Sequence, residues 1–235
     1  TKIMFDLPSG LEETNRIDIK NRKPTPETAE KQIISNLNKI AKKIDALIIL
    51  EQLEDGSCGV FTKKVINALS EIAAQRPDLV IVADSRFNIA DFCGFTVKCN
   101  DLEAVRAVYP EINLQPGQEI DDRLLESAME SIARKTGKDV FVSCGAKGIK
   151  VKGADGIDTI PGFKVEGPID TCGAGDSATT GITCALSAGA TVQEAALIGN
   201  LVASITIQQI GITGTATIPQ ILERLRDYLL MFDRM

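Results

Sequence analysis

The sequence has no histidine among its 235 residues. That absence excludes Ser-His-Asp and Cys-His hydrolases, His-ligated metal sites and imidazole acid–base chemistry. A catalytic base in this chain is therefore a carboxylate, a lysine, a tyrosine or a cysteine. The six cysteines, at positions 58, 93, 99, 144, 172 and 184, form no C-x-x-C pair. Neither a zinc cage nor a thioredoxin-type motif is visible, and buried reduced thiols are the simplest reading. No apolar run approaches the ~18 residues that a membrane-crossing helix needs, and the amino-terminus lacks a signal-peptide pattern. A cytoplasmic protein without a membrane partner is expected. The net charge is −6 and the pI is near 4.9, which argues against nucleic acid as a partner. A nucleotide is not excluded, because a phosphate pocket needs only a few backbone N–H groups.

What is present suffices for one domain with a sizeable core, alone or with a small appendage. Residues 1–24 are polar, with short candidate strands over 3–7 and 14–20. Thr25 then suits an N-cap, Pro26 the first helical position and Glu27 the positive end of the helix dipole. The apolar spacing predicts a helix through about residue 43. From there strands and helices alternate: strands over 46–50, 79–83, 95–97 and 140–143, helices over 61–76, 102–108 and 119–136. Strands apolar on both faces, alternating with helices, indicate an α/β fold built on a mostly parallel, doubly wound sheet. Ligands gather at the carboxyl ends of such strands, where Asp84, Lys98 and the loop after Ser143 fall. Short strands over 149–151, 157–160 and 163–165 read as hairpins. Helices over 173–188, 191–209 and 217–232 complete the chain, the last two with capping boxes at Thr191/Glu194 and Thr217/Gln220.

The strongest local signal is Asp170-Thr171-Cys172-Gly173-Ala174-Gly175-Asp176-Ser177. It is a glycine-rich turn opening directly into a helix, where bare N–H groups and the helix dipole together attract an anion. A carboxylate at position 176 would repel a phosphate unless its task is to take a proton from an attacking hydroxyl. The competing reading is a structural loop whose acidic residue favours the helix dipole.

This segment, followed by a helix of small residues, resembles the carboxy-terminal signature of PfkB/ribokinase-family carbohydrate kinases. The resemblance implies a ribokinase-like three-layer α/β/α fold and transfer of the γ-phosphoryl group of ATP to a sugar or sugar-phosphate hydroxyl. Asp176 would be the base, and the N–H groups of Gly173, Ala174 and Gly175 the anion hole. Asp170 and Thr171 lie where many members hold a monovalent cation such as K+. Lys98-Cys99-Asn100-Asp101-Leu102-Glu103 resembles the K-x-N-x-x-E motif, in which Asn100 and Glu103 would organise Mg2+ and phosphates through water; alone, the same residues read as a solvated helix cap. Ser143, Gly145 and Gly148 match an S/T-x-G-x-x-G nucleotide loop. Asn200 sits on the helix that carries an adenine-side asparagine, or is an ordinary helix amide. Asp84-Ser85-Arg86 follows a strand where the family often has an acidic residue near the metal. Within the family, Thr1-Lys2, Asn15-Arg16-Ile17-Asp18 and Gly211–Thr217 resemble the heptose-phosphate kinase (ADP-heptose synthase) branch.

The family's opening strands and Gly-Gly region have no counterpart here. Residues 1–24 are expected to be a remnant of the lid, and 25–235 the nucleotide-binding and phosphotransfer domain. A sheet truncated in this way would expose an apolar edge and favour a homo-oligomer. Two alternatives stay open: a nucleotide-binding fragment without a complete sugar site, and a related kinase of a non-sugar alcohol.

Overall fold

The computed structural model of the protein describes residues 2–7, 10–17, 19, 21–53, 55–115 and 117–232. Thr1, Asp18 and Lys20, which belong to segments named above, lie outside the described residues. The chain opens with β1 (Lys2–Leu7) and β2 (Gly10–Arg16), an antiparallel pair forming a sheet of its own. The second strand thus starts earlier than expected and stops at Arg16. In α1 (Glu27–Ile40) the N-cap is Pro26, with no side-chain cap. Thr25 is drawn elsewhere: its Oγ1 donates to the Gly59 carbonyl at 2.7 Å.

Next come β3 (Ala46–Glu51), α2 (Lys63–Gln75), β4 (Val80–Ser85), β5 (Thr96–Asn100), α3 (Asp101–Val108), α4 (Asp122–Thr136) and β6 (Val140–Ser143). A hairpin of β7 (Gly148–Gly153) and β8 (Gly156–Pro161) follows, then α5 (Ala174–Ser187), α6 (Val192–Thr206) and α7 (Ile218–Phe232). The expected helix from 119 begins only at Asp122, because Asp121 caps it by accepting from the N–H groups of Arg123 and Leu124. The expected strand at 163–165 does not form. After Pro161 the chain leaves the sheet edge, and the Arg224 guanidinium lies 4.4 Å above the Phe163 ring, a cation–π contact that holds this segment against α7.

The large sheet runs β3-β4-β5-β6-β7-β8. The strands from β3 to β6 pair in parallel, and β7 and β8 add antiparallel pairs. Because side chains alternate across a strand, β6 sends Val140 and Val142 to one face and Phe141 to the other. The first face packs on α2, α3 and α4 through Leu69, Val105 and Ile132. The second packs on α5 and α6 through Ala178, Ile182 and Ala195. Both faces are therefore covered, as a sheet apolar on both sides requires. The route differs from a strand-order reversal: the order is monotonic, and the second layer is laid down by the chain returning after β8.

α5 and α6 approach closely where Gly181 meets Gly199. A Cβ on Gly199 would stand 2.8 Å from Ile182 Cγ1 and 3.2 Å from Ile149 Cδ1. Helix propensity favours alanine over glycine by about 1 kcal/mol, but overpacking a rigid contact costs about 1–3 kcal/mol. Gly199→Ala is therefore expected to destabilise the fold on balance, seen as a lower urea midpoint with an unchanged slope. A raised midpoint would show that the two helices can separate freely.

Candidate active-site cleft

α5 begins where Gly173, at φ +81°, turns the chain in a conformation that other residues rarely adopt. The Ala174 N–H donates to the Thr171 carbonyl at 3.1 Å, and the Ser177 N–H to the Gly173 carbonyl at 2.9 Å. The N–H groups of Gly173, Gly175 and Asp176 have no hydrogen-bond partner among the described residues. Of the expected donors, Ala174 is thus committed to the turn, and Asp176's own N–H joins the bare set. Such a set, with the helix dipole behind it, is a site for negative charge. The Asp176 carboxylate is exposed and makes no ion pair or hydrogen bond among the described residues.

A cleft of about 480 Å³ opens over this turn, with Gly173, Gly175 and Asp176 on one side. Asp84, Lys98, Asn100 and Glu103 line the other, and Ser143 and Gly145 close its end. Residues from four separate segments are therefore brought together at the carboxyl ends of β4, β5 and β6. β5 runs on through Asn100, three residues past the expected end at Val97, so Lys98 lies within the strand. Its register partner on β4 is Asp84, and the two side chains meet on the α5 face. Lys98 Nζ is 3.0 Å from Asp84 Oδ2, with the side chains only 5% and 14% exposed.

Asn100 and Glu103 form a reciprocal capping box at the start of α3. Asn100 Oδ1 accepts from the Glu103 N–H at 2.7 Å, and Glu103 Oε2 from the Asn100 N–H at 2.8 Å. The helix-cap reading is thus realised, and it leaves Glu103 Oε1 and the Asn100 amide nitrogen unspent. Burial pushes the Glu103 carboxyl above its ordinary value of 4.5, and the nearby Asp84 charge adds to this. Backbone donation from Asn100 and the Lys98 charge act the other way.

A second, more apolar cavity of about 370 Å³ adjoins the cleft, and Ser143, Gly145 and Gly175 line both. Ile149, Phe163, Val165 and Ile207 are among its walls. Gly148, at φ +102°, faces Ile160 so closely that no side chain fits there, which keeps the 144–148 loop flat against β8. Asn200 lines this cavity, but its amide nitrogen donates to the Ile160 and Pro161 carbonyls at 2.9 and 3.1 Å. It ties α6 to the end of β8, as an ordinary structural amide would. Asp170 does similar work, accepting from the Cys172 N–H at 2.9 Å and the Gly211 N–H at 3.1 Å. Ser143 Oγ donates to the Cys99 carbonyl at 3.3 Å. Cys99 and Cys144 are held as thiols by burial, the latter with its pKa pushed up to about 11. The sequence marked Thr179 only as one of the small side chains of this helix, with Ala178, Thr180 and Gly181, and gave no sign of its partner. Thr179 is fully buried in α5, with Oγ1 2.9 Å from Asp84 Oδ2, and its only further sequence signal is a position one turn beyond Gly175 on the inward helix face.

A bifunctional protein HldE from Hyphomonas neptunium is 24% identical over 216 residues, which is 89% of this chain and 41% of that protein. An inositol 3-kinase from Arabidopsis thaliana is 43% identical over 72 residues, 31% of this chain and 20% of that protein. Among solved structures, Arabidopsis thaliana ribokinase complexed with ribose and ATP matches with a TM-score of 0.65 at 16% identity. That match covers 81% of this chain and 58% of the other and bears on the fold. The chain spans about two fifths of the length of the HldE relative, 41%. Residues 12–219 match the profile of the pfkB family carbohydrate kinases, and the chain belongs to that family.

Proposed function

We propose that this chain carries the nucleotide site and phosphotransfer centre of an ATP-dependent carbohydrate kinase, with Asp176 as the general base. The observation that carries the reading is the unpaired Asp176 carboxylate beside bare N–H groups at the start of α5, facing a cleft with a buried lysine. The adjoining apolar cavity takes the adenine, with Asn200 in its wall, and Ser143, Gly145 and Gly148 pass the phosphates toward Lys98. Transfer then proceeds in line: the acceptor hydroxyl loses its proton to Asp176 as the phosphoryl group leaves ADP. The N–H groups of Gly173, Gly175 and Asp176, with Lys98, balance the charge on the transferring oxygens.

The donor set fits Mg2+ in its usual guise. Among the described residues no group of three His, Cys, Asp or Glu side chains could hold a metal. Mg2+, however, keeps most of its waters and is held through one or two carboxylates plus substrate phosphates. Glu103, through the oxygen its cap leaves free, would hold it with Asn100 beside it, and the ion would supply charge neutralisation for the phosphates. A K+ ion at Asp170 and Thr171 would share oxygens that already accept backbone N–H groups, which fits a weakly held cation. The likeness to HldE favours a sugar phosphate as acceptor, and the segment shared with inositol 3-kinase favours a cyclitol as the second reading. The β1–β2 hairpin serves as part of a lid over the acceptor. The open edge of β3, where Leu50 is exposed, supports self-association. Cys58 and Cys99 are buried thiols, as expected, while Cys93 and Cys184 are exposed, against that expectation. Reduced thiols suit a cytoplasmic setting, and no helix among the described residues is long and apolar enough to cross a membrane.

Asp176→Asn should keep ATP affinity within about threefold and lose about 10²–10⁴ in kcat. Isothermal titration and coupled ADP release with a panel of sugars, sugar phosphates and cyclitols measure both. Near-normal turnover removes Asp176 from its role, and nucleotide binding without turnover in the unsubstituted chain favours a non-catalytic module. A second expectation concerns pH. The raised pKa of Glu103 means its proton competes with the metal at a higher pH than for an ordinary glutamate. The Mg2+ concentration for half-maximal turnover should therefore climb as pH falls through that pKa, by up to about tenfold per unit. Glu103→Gln should need more Mg2+ at every pH and lose this slope. A wild-type Mg2+ requirement that stayed flat as pH was lowered to the ordinary glutamate value of 4.5 would take Glu103 out of the metal site.

A further inference from the structure

Beneath the anion-binding turn lies a buried cluster that reaches beyond the K-x-N-x-x-E motif, which contributes only Lys98 to it. Lys98, Asp84 and Thr179 come from β5, β4 and α5, far apart in the chain, and meet on the α5 face of the sheet. Asp84 Oδ2 accepts from Lys98 Nζ at 3.0 Å and from Thr179 Oγ1 at 2.9 Å. Thr179 Oγ1 also lies 3.0 Å from the Gly175 carbonyl, one helical turn back. The Thr179 side chain is wholly buried, and that of Lys98 is 5% exposed.

Two features show that this is more than a tie between helix and sheet. First, an ammonium has three N–H donors, and Lys98 forms a single hydrogen bond among the described residues, the one to Asp84. A cation taken almost completely out of water with donors unspent is expensive unless something else receives them. Second, its position is aimed. A Cβ placed on Gly175 would lie 3.1 Å from Lys98 Nζ, so the ammonium sits directly under the bare N–H groups of the turn. Lys98 and Gly175 also border the same cleft. Fixed charge beneath the turn and donors within it therefore converge on one anion.

Asp84 could spoil this arrangement by pulling the ammonium toward the sheet. Thr179 limits that pull. By donating to the same oxygen that Lys98 uses, its hydroxyl takes up part of the carboxylate's charge and fixes where Oδ2 sits. The single hydroxyl proton is shared with the Gly175 carbonyl at 3.0 Å, which keeps that oxygen close to the turn. Turn, carboxylate and ammonium are thereby held as one rigid unit, as an electrostatic site needs if it is to be arranged before the reaction rather than during it.

We propose that Thr179 and Asp84 are positioning residues that hold the Lys98 ammonium against the phosphoryl group in transit. The inference rests on the kinase reading above and adds to it a residue outside the recognised motifs. A positioning role predicts a loss confined to the state in which charge has built up on the transferring group. A tie that serves only folding predicts a loss of stability, with the binding of the folded protein unchanged.

The test compares the affinity of the full chain for ATP with Mg2+ against that for ADP with aluminium fluoride and Mg2+, which imitates the phosphoryl group in flight. Neither ligand requires the acceptor to be known. Thr179→Val keeps the shape and removes the hydroxyl. It should bind ATP within about twofold of wild type and the fluoroaluminate complex about tenfold more weakly. Thr179→Ser restores the hydroxyl and should recover the wild-type ratio to within about twofold. Lys98→Met should lose about 10²-fold on the fluoroaluminate complex. Adding Thr179→Val to it should cost no more, since Thr179 acts through Lys98. Thermal melts of each variant establish that folded protein is being compared. Thr179→Val with the wild-type ratio, a serine variant as impaired as the valine, or additive losses in the double variant would each overturn the inference and leave the kinase reading standing. A wild-type chain that binds neither ligand would overturn both together.

Discussion

The arrangement on which the site depends is the first turn of α5, where the chain must leave backbone donors without partners. Gly173 adopts a positive φ, the Ala174 N–H is consumed in the turn, and those of Gly173, Gly175 and Asp176 stay bare. Unsatisfied donors in a partly closed cleft are unfavourable in the empty protein. They become favourable when an anion arrives, and the helix dipole adds to the same pull. The buried Lys98 ammonium beneath Gly175 reinforces it at close range, in surroundings where water screens little. Against that background an acidic side chain at position 176 is tolerable because it stands at the exposed rim, where solvent screens it, rather than inside the ring of donors.

The sheet makes this turn useful by what it brings opposite. Three parallel strands end side by side, and each contributes at its carboxyl end: Asp84 from β4, Lys98 and Asn100 from β5, Ser143 from β6. The parity of the strands decides which side chains face α5. Lys98 points toward the helix while Val97 and Cys99 pack into the opposite core. Extending β5 to Asn100 also sets where α3 begins, and hence where Glu103 stands. The antiparallel pair β7–β8 then carries the chain away from the sheet, so that Phe163 and the segment before α5 form the wall of the apolar cavity. A long, partly apolar ligand with a charged end finds its two environments next to each other.

Several side chains that line these cavities or adjoin them also hold the fold together. Asn100 and Glu103 cap α3 with one set of atoms and present another to the cleft. Asp170 closes the loop before α5 onto Gly211, and Asn200 ties α6 to β8. The cap, the loop closure and the tie keep the site's walls in register, so their removal would disturb geometry as well as contacts.

Much of this was legible in the chain itself. The all-apolar runs at 46–50, 79–83 and 140–143 announced buried parallel strands, because only a sheet covered on both faces can absorb side chains of that kind on both sides. The glycine-rich turn before a small-residue helix announced a helix start with bare N–H groups, because the requirement is local: backbone freedom and helix-end donors lie within seven residues. What escaped was whatever depends on neighbours distant in sequence. Thr25 lost its capping role to a carbonyl at 59, the segment at 163–165 was claimed by Arg224 rather than by the sheet, and Ala174 spent its N–H within the turn. The juxtaposition of Asp84, Lys98 and Thr179 follows from strand register and the seating of α5 on the sheet. Sequence alone determined the kinds of element and the local chemistry of the turn, since both are governed by residues a few places apart. Which charges meet beneath that turn was decided by tertiary packing, because electrostatic partnership depends on distance in space and on burial.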